Sequence, residues 1–146
     1  MYYVNSEQIE IRLAYLSTVS ESLSLLRDNL SVDSLLQRFA LERAIHVAAE
    51  CVTDIGSYMI DGFVMRDAAS YEDIVDILYG ENVMSTELYE LLTPLVKLRK
   101  PLVQSYYDLS EYHITMNRLA QQLPEALNSF KNSIIQYITI ELGETK

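Results

Sequence analysis

From Ser34 to Gly62 the chain runs without a proline, and its apolar side chains recur at helical intervals throughout. Leu41, Ala44, Ala48, Val52, Ile55 and Met59 form one stripe, and Leu36, Ala40, Val47, Cys51 and Tyr58 widen it sideways. A helix apolar over so much of its circumference is stable in water only when it is covered on several sides. Other helices of the chain, or a second subunit, must supply that cover, so the expectation is a helical bundle that pairs into a homodimer. Ser34-Leu-Leu-Gln37 has the spacing of a capping box and opens this helix; Asp61-Gly62 stops it after Ile60.

The flanking segments read the same way. Asn5-Ser-Glu-Gln8 caps a first helix over about residues 6 to 28, with Ile9, Leu13, Leu16, Val19, Leu23 and Leu26 on its inner face. Ser70-Tyr-Glu-Asp73 caps a short helix that Gly80 ends, and Ser85 and Thr86 open another that carries Leu88, Leu92 and Leu95 as far as Leu98. A last helix starts after Ser110 and extends to Gly143, with Pro124 bending it or beginning a new segment. Asp61 to Ser70 is left as a connector that could move.

With 146 residues, 49% of them apolar, the chain can bury one core, and its 4 glycines and 3 prolines are too few for the turns of an all-β fold. The expected architecture is all-α: an up-and-down bundle of four main helices plus a short one, in a single domain over residues 1–146. A lone cysteine, Cys51, rules out an internal disulfide framework and reads as a small buried hydrophobe. Neither a signal peptide nor a membrane span is seen, so the expected compartment is the cytoplasm. A net charge of -10 disfavours sequence-blind binding to nucleic acid unless the cations gather on one surface.

Motifs that carry chemistry are few. Glu42 and His46 share a helix face, as do Glu50 and Asp54, but the Glu-x-x-His pairs of a di-metal bundle are missing, so neither metal nor cofactor is expected. His46 reads as a half-buried helix residue and His113 as a surface residue near the start of the last helix. Gly-rich phosphate loops and nucleophile motifs are also missing. What remains is Leu98-Arg-Lys-Pro-Leu-Val-Gln-Ser-Tyr-Tyr-Asp-Leu109, where Lys97, Arg99 and Lys100 make the most concentrated cationic site. Two readings fit these residues: a basic helix end that complements the macrodipole, or an anion site. Pro101 favours the first turn of a helix, so the segment is expected to break near Lys100 and restart at Pro101, freeing backbone amides.

Here the chain resembles a known family along essentially its whole length. Leu41-Glu-Arg-Ala-Ile-His-Val-Ala-Ala-Glu-Cys-Val-Thr-Asp-Ile-Gly56 looks like the second-helix signature of the HepT-like proteins of the HEPN superfamily, and Arg99 to Tyr106 occupies the place of their ribonuclease motif. That motif is an arginine, usually followed by Asn or Asp, then a histidine five residues after the arginine and a tyrosine two beyond it. Arg99 and Tyr106 match, whereas Lys100 and Gln104 depart from the pattern. The resemblance implies a homodimer with a groove between subunits, catalytic positions at Arg99, Gln104 and Tyr106, and ligand-binding positions at Lys97, Arg99, Lys100 and Tyr106.

A metal-independent ribonuclease must take a proton from the ribose 2′-hydroxyl and stabilise charge on the phosphate. Arg99 suits the second task through bidentate hydrogen bonds. Gln104 cannot perform the first, because an amide does not titrate near neutrality as an imidazole does. If the segment were regular helix, Arg99 and Tyr106 would share a face and Gln104 would point away. The leading expectation is therefore a nucleotide- or RNA-binding or regulatory relative of ribonuclease toxins with a degenerate site. One alternative is an active ribonuclease toxin silenced by a minimal nucleotidyltransferase antitoxin that adenylylates Tyr106. Another is a structural dimer with a vestigial site.

Overall fold

The structure, a computed structural model, describes residues 1–29 and 34–143. Over those residues the elements are α1 (Ser6–Asn29), α2 (Leu35–Gly62), α3 (Tyr71–Gly80), α4 (Thr86–Lys97), α5 (Arg99–Gln104), a 3-10 turn at Ser110–Tyr112, and α6 (His113–Glu141). No strand occurs among them. This is the expected all-α bundle, with α1, α2, α4 and α6 as the main helices.

The helix starts follow the capping residues. The Gln8 amide donates to Asn5 Oδ1 at 3.3 Å, Gln37 to Ser34 Oγ at 3.1 Å, Asp73 to Ser70 Oγ at 3.1 Å and Leu88 to Ser85 Oγ at 3.1 Å. Each bond satisfies an amide that the first turn would otherwise leave without a partner.

Helix α2 touches all five other helices. Its predicted stripe is buried at every position: Leu41, Ala44, Ala48, Val52, Ile55 and Met59. Ile9, Leu13, Leu16, Val19 and Leu23 of α1 are buried as well, and α1 packs on both α2 and α6. The second α2 stripe is covered only in part, since Cys51 is buried while Leu36 is 83% exposed and neighbouring Phe39 is 62% exposed. Among the described residues no helix is long and apolar enough to cross a membrane.

Three boundaries differ from the sequence reading. α6 runs through Pro124 without ending, so no new segment begins there. The break before the cationic stretch falls at Leu98, not between Lys100 and Pro101. Pro101 thus occupies the third position of α5, still inside the first turn, where its missing N–H costs no helical bond. Nor is the Leu98 amide released at the break: it donates to Pro94 O at 3.3 Å and Leu95 O at 3.1 Å. α2, for its part, continues to Gly62, and the left-handed residue that turns the chain is Val64 at φ 57°. Gly62 serves a close approach instead, because a Cβ there would lie 3.0 Å from Val4 Cα, beside the bond from Tyr3 N to Gly62 O.

Gly56 sets the distance between α2 and α3. A Cβ at this position would meet Ile74 Cγ2 at 2.3 Å, and Ile74 is itself buried and β-branched, with little freedom to turn aside. Gly56→Ala is therefore expected to destabilise the fold, because overpacking costs about 1–3 kcal/mol against a helix-propensity gain of about 1 kcal/mol. Gly80→Ala, where nothing lies within 4 Å, is the control and should keep or raise stability. Thermal unfolding of the two variants checks this; a Gly56→Ala protein as stable as wild type would contradict the tight α2–α3 crossing.

Candidate functional site

Lys97 ends α4 and Arg99 begins α5, so the one-residue break at Leu98 sets where the cations project. Leu98 is buried and anchors the break. From there the Arg99 side chain reaches α2, where its Nε donates to Glu50 Oε2 at 2.5 Å. The guanidinium also lies over the Tyr71 ring, 3.7 Å from its centroid. A guanidinium carries five N–H donors, so this bond to Nε leaves the two amino groups outside it.

Tyr71 owes its place to the connector before it. Arg66 donates to both carboxylate oxygens of Asp73 at 2.7 Å, and the Ala69 amide adds a bond to Asp73 at 2.9 Å. The Arg66 bond, and then the Ala69 bond, pull the Asp73 carboxyl down to about 2. Hydrogen bonds thus hold the last residues of the connector, which the sequence left as a segment that could move. Ser70 then caps α3 and sets Tyr71, its first residue, over Arg99.

Lys97, Arg99, Lys100 and Gln104 line one cavity of about 360 Å³, together with Tyr71. Tyr106 lies elsewhere. α5 ends at Gln104, the Ser105 amide closes it on Pro101 O at 2.8 Å, and the Asp108 amide then turns back to Ser105 O at 3.0 Å. Tyr106 is 70% exposed and lines a second cavity of about 470 Å³ with Arg38, Phe39, Glu42, Tyr107 and His113. The condition on which Arg99 and Tyr106 would share a face, a regular helix through both, is not met: α5 stops before Tyr106. Arg99 and Gln104 line the same cavity, and the tyrosine of the motif lines the other.

Sequence reasoning missed the residues that α2 brings to the motif. His46 Nε2 lies 4.0 Å from Glu50 Oε2, the same oxygen that Arg99 holds. One turn earlier on α2, Glu42 Oε2 lies 3.7 Å from His113 Nε2. Glu42, His46 and Glu50 are spaced by four, a signal visible in the sequence, but nothing local showed that this face would meet Arg99. Asp54 parts from the group and pairs with Arg12 at 3.1 Å. Cys51 is buried, and burial pushes its thiol up to about 11, which makes it inert near neutrality.

The same architecture is found in known proteins. The sequence matches the model of the Ribonuclease HepT-like family over residues 12–136. The chain belongs to that family. It is 37% identical over 145 residues to YutE of Bacillus subtilis (strain 168), named as a candidate RNase, covering 98% of this chain and 96% of YutE. The solved structure of YutE, described as a cytosolic protein, superposes with a TM-score of 0.83 at 36% identity, covering 100% of this chain and 99% of that one. A toxin–antitoxin structure with AMP-PNP matches with a TM-score of 0.78 at 17% identity, over 88% of this chain and 97% of the other. A mutant of the toxin–antitoxin pair MntA–HpeT gives 0.76 at 16% identity, with the same coverage. At that identity the last two speak to the fold alone.

The electrostatics of the α2 face give a pH signature. Burial lowers the pKa of His46 below 6.5; Glu50 opposes the shift, and Arg43 and Arg99 add to it. Below that ordinary value and above the lowered one, the unfolded chain binds more protons than the folded chain, so stability falls as pH drops through the window. His46→Gln should remove this component. Urea unfolding from about pH 5 to about pH 8, the range over which histidine changes charge, is expected to show a smaller loss toward acid in His46→Gln than in wild type. Parallel curves would contradict a neutral, half-buried imidazole.

Proposed function

We propose that this HepT-like protein binds a phosphate-bearing ligand, RNA or a nucleotide, through Arg99, and cuts RNA slowly because Gln104 stands at the histidine position. The supporting observation is the held guanidinium. Glu50 and Tyr71 fix Arg99 in one orientation, and its amino groups retain donors for a phosphodiester in a cavity also lined by Lys97 and Lys100. Pre-organisation of this kind reduces the ordering cost of binding.

Loss of the imidazole acts on chemistry rather than on affinity. A missing general base lowers the rate about 100- to 10,000-fold, whereas attraction between guanidinium and phosphate does not depend on it. The reading places the protein in the cytoplasm as a homodimer, with Leu36 and Phe39, exposed on α2, as part of the surface a second copy would cover. Light scattering at micromolar concentration should give twice the chain mass of 16.8 kDa.

A second reading has an observation in its favour. Tyr106 is exposed enough for its hydroxyl to be modified, and solved proteins of this fold come from toxin–antitoxin pairs. The chain would then be a ribonuclease toxin, and a nucleotidyltransferase partner would silence it by adenylylating Tyr106. Growth arrest on expression, relieved by Arg99→Ala, would favour this second reading.

The binding reading is tested by titrating a labelled oligoribonucleotide and ATP against wild type, Arg99→Ala and Gln104→His, with cleavage followed in parallel. Arg99→Ala should weaken binding about tenfold or more, since a charge-assisted bidentate contact is lost. Gln104→His should raise cleavage toward the rate that general acid–base catalysis allows, about 100-fold or more. Undiminished binding in Arg99→Ala would show that the ligand sits elsewhere, and vigorous cleavage by wild type would remove the degenerate-site reading.

A further inference from the structure

We infer that His46, on α2, is the general base for such slow cleavage as this site performs, taking the 2′-hydroxyl proton that Gln104 cannot. The inference rests on the RNA-binding reading and deepens it by naming a reacting group that the motif does not contain.

Geometry carries the argument. His46 Nε2 and Arg99 Nε approach the same atom, Glu50 Oε2, at 4.0 Å and 2.5 Å, so the imidazole stands one carboxylate oxygen away from the cation that would hold phosphate. Both side chains are reachable from solvent, with 26% of His46 and 23% of Arg99 exposed. At 4.0 Å the imidazole is not hydrogen-bonded to Glu50, and among the described residues no hydrogen bond engages either ring nitrogen. A nitrogen lone pair is therefore available. Glu50, in contrast, is committed to Arg99.

The charged groups facing His46 are Glu50 and Arg43 on its own helix and Arg99 from α5. Burial and the two arginines outweigh Glu50, so the neutral, proton-accepting form prevails at pH 7. A carboxylate beside the ring also stabilises the imidazolium that forms in the reaction. His113 is a less suitable base, since its carboxylate partner is Glu42, whereas His46 shares Glu50 with Arg99.

In the proposed step the 2′-hydroxyl gives its proton to His46 and the 2′-oxygen bonds to phosphorus. The bond from phosphorus to the 5′-oxygen breaks, and that oxygen takes a proton from water. The products are a 2′,3′-cyclic phosphate and a 5′-hydroxyl; imidazolium returns its proton to the hydroxide left behind, so no net proton, electron or co-reactant is required. Arg99 neutralises charge on the non-bridging oxygens throughout.

The test uses a labelled oligoribonucleotide and a copy whose single cleavable linkage is 2′-deoxy. Wild type is compared with His46→Ala, His46→Gln, Arg99→Ala, Gln104→His and the double variant His46→Ala with Gln104→His. His46→Ala and His46→Gln should lower the rate about 100-fold or more, the usual loss for a general base, with RNA affinity kept. The double variant should regain cleavage, because an imidazole returns at the family position. Wild-type rate should rise with pH through a midpoint below 6.5, a behaviour that needs no variant to measure. Unchanged cleavage in the His46 variants, a pH-independent wild-type rate, or the absence of 2′-hydroxyl-dependent cleavage would each overturn the inference. Undiminished binding in Arg99→Ala would instead overturn the RNA-binding reading, so the two failures are distinguishable.

Discussion

A 28-residue helix that is apolar around most of its girth has to be sheathed, and the arrangement of every other element follows from sheathing α2. α1 covers one side, the α3–α4 hairpin another, and α6 closes the gap between α1 and α4. Small residues decide how close the cover can come. Ala44, Ala48 and Ala49 are buried on α2, and Gly56 lets Ile74 approach to a distance that any Cβ would forbid. Along one line α2 is polar: Glu42, His46 and Glu50 lie four residues apart and are only half-buried.

That polar line makes the candidate site possible. The end of a helical hairpin is a common place for cations, because lysine and arginine there complement the dipole. What separates Arg99 from an ordinary basic helix end is its partnership with a second helix and with the first residue of a third. Glu50 binds one edge of the guanidinium and Tyr71 lies against its face, so α2 and α3 together restrict its rotamers. An exposed pair contributes little, but a half-buried arginine held on two sides has already lost much of the side-chain freedom that ligand binding would otherwise remove.

The fold could be read from the sequence because caps and periodicity are local. Asn5, Ser34, Ser70 and Ser85 each lie at the N-terminal boundary that their side-chain hydrogen bonds define, and the inner stripe of α2 is buried at every position. The site could be read only in part. Arg99 stands out by charge and motif, but Glu50, His46 and Tyr71 come from 49, 53 and 28 positions away (99 − 50, 99 − 46, 99 − 71), and no local pattern joins them. The break falls at Leu98 and not at Pro101 because a proline is tolerated anywhere in the first turn, so its position alone does not mark where a helix begins. Helical angle does not locate Tyr106, because the helix ends two residues earlier.

The acidity of the chain, a net charge of -10, constrains how such a site can work. Proteins that bind nucleic acid through broad cationic surfaces gain affinity from releasing many counterions, and they bind almost any sequence. Here three cations share one cavity, and Glu50 already offsets one of them. Long-range attraction for a polyanion is accordingly small, and the net negative charge of the chain opposes it. Under the proposed reading, affinity must come from short-range contacts that depend on orientation, above all a bidentate guanidinium. The separation of Arg99 from Tyr106, which looks like a broken motif when read along the chain, follows from where α5 ends: the Ser105 amide closes the helix on Pro101 O and the Asp108 amide turns back to Ser105 O, which carries Tyr106 into the second cavity.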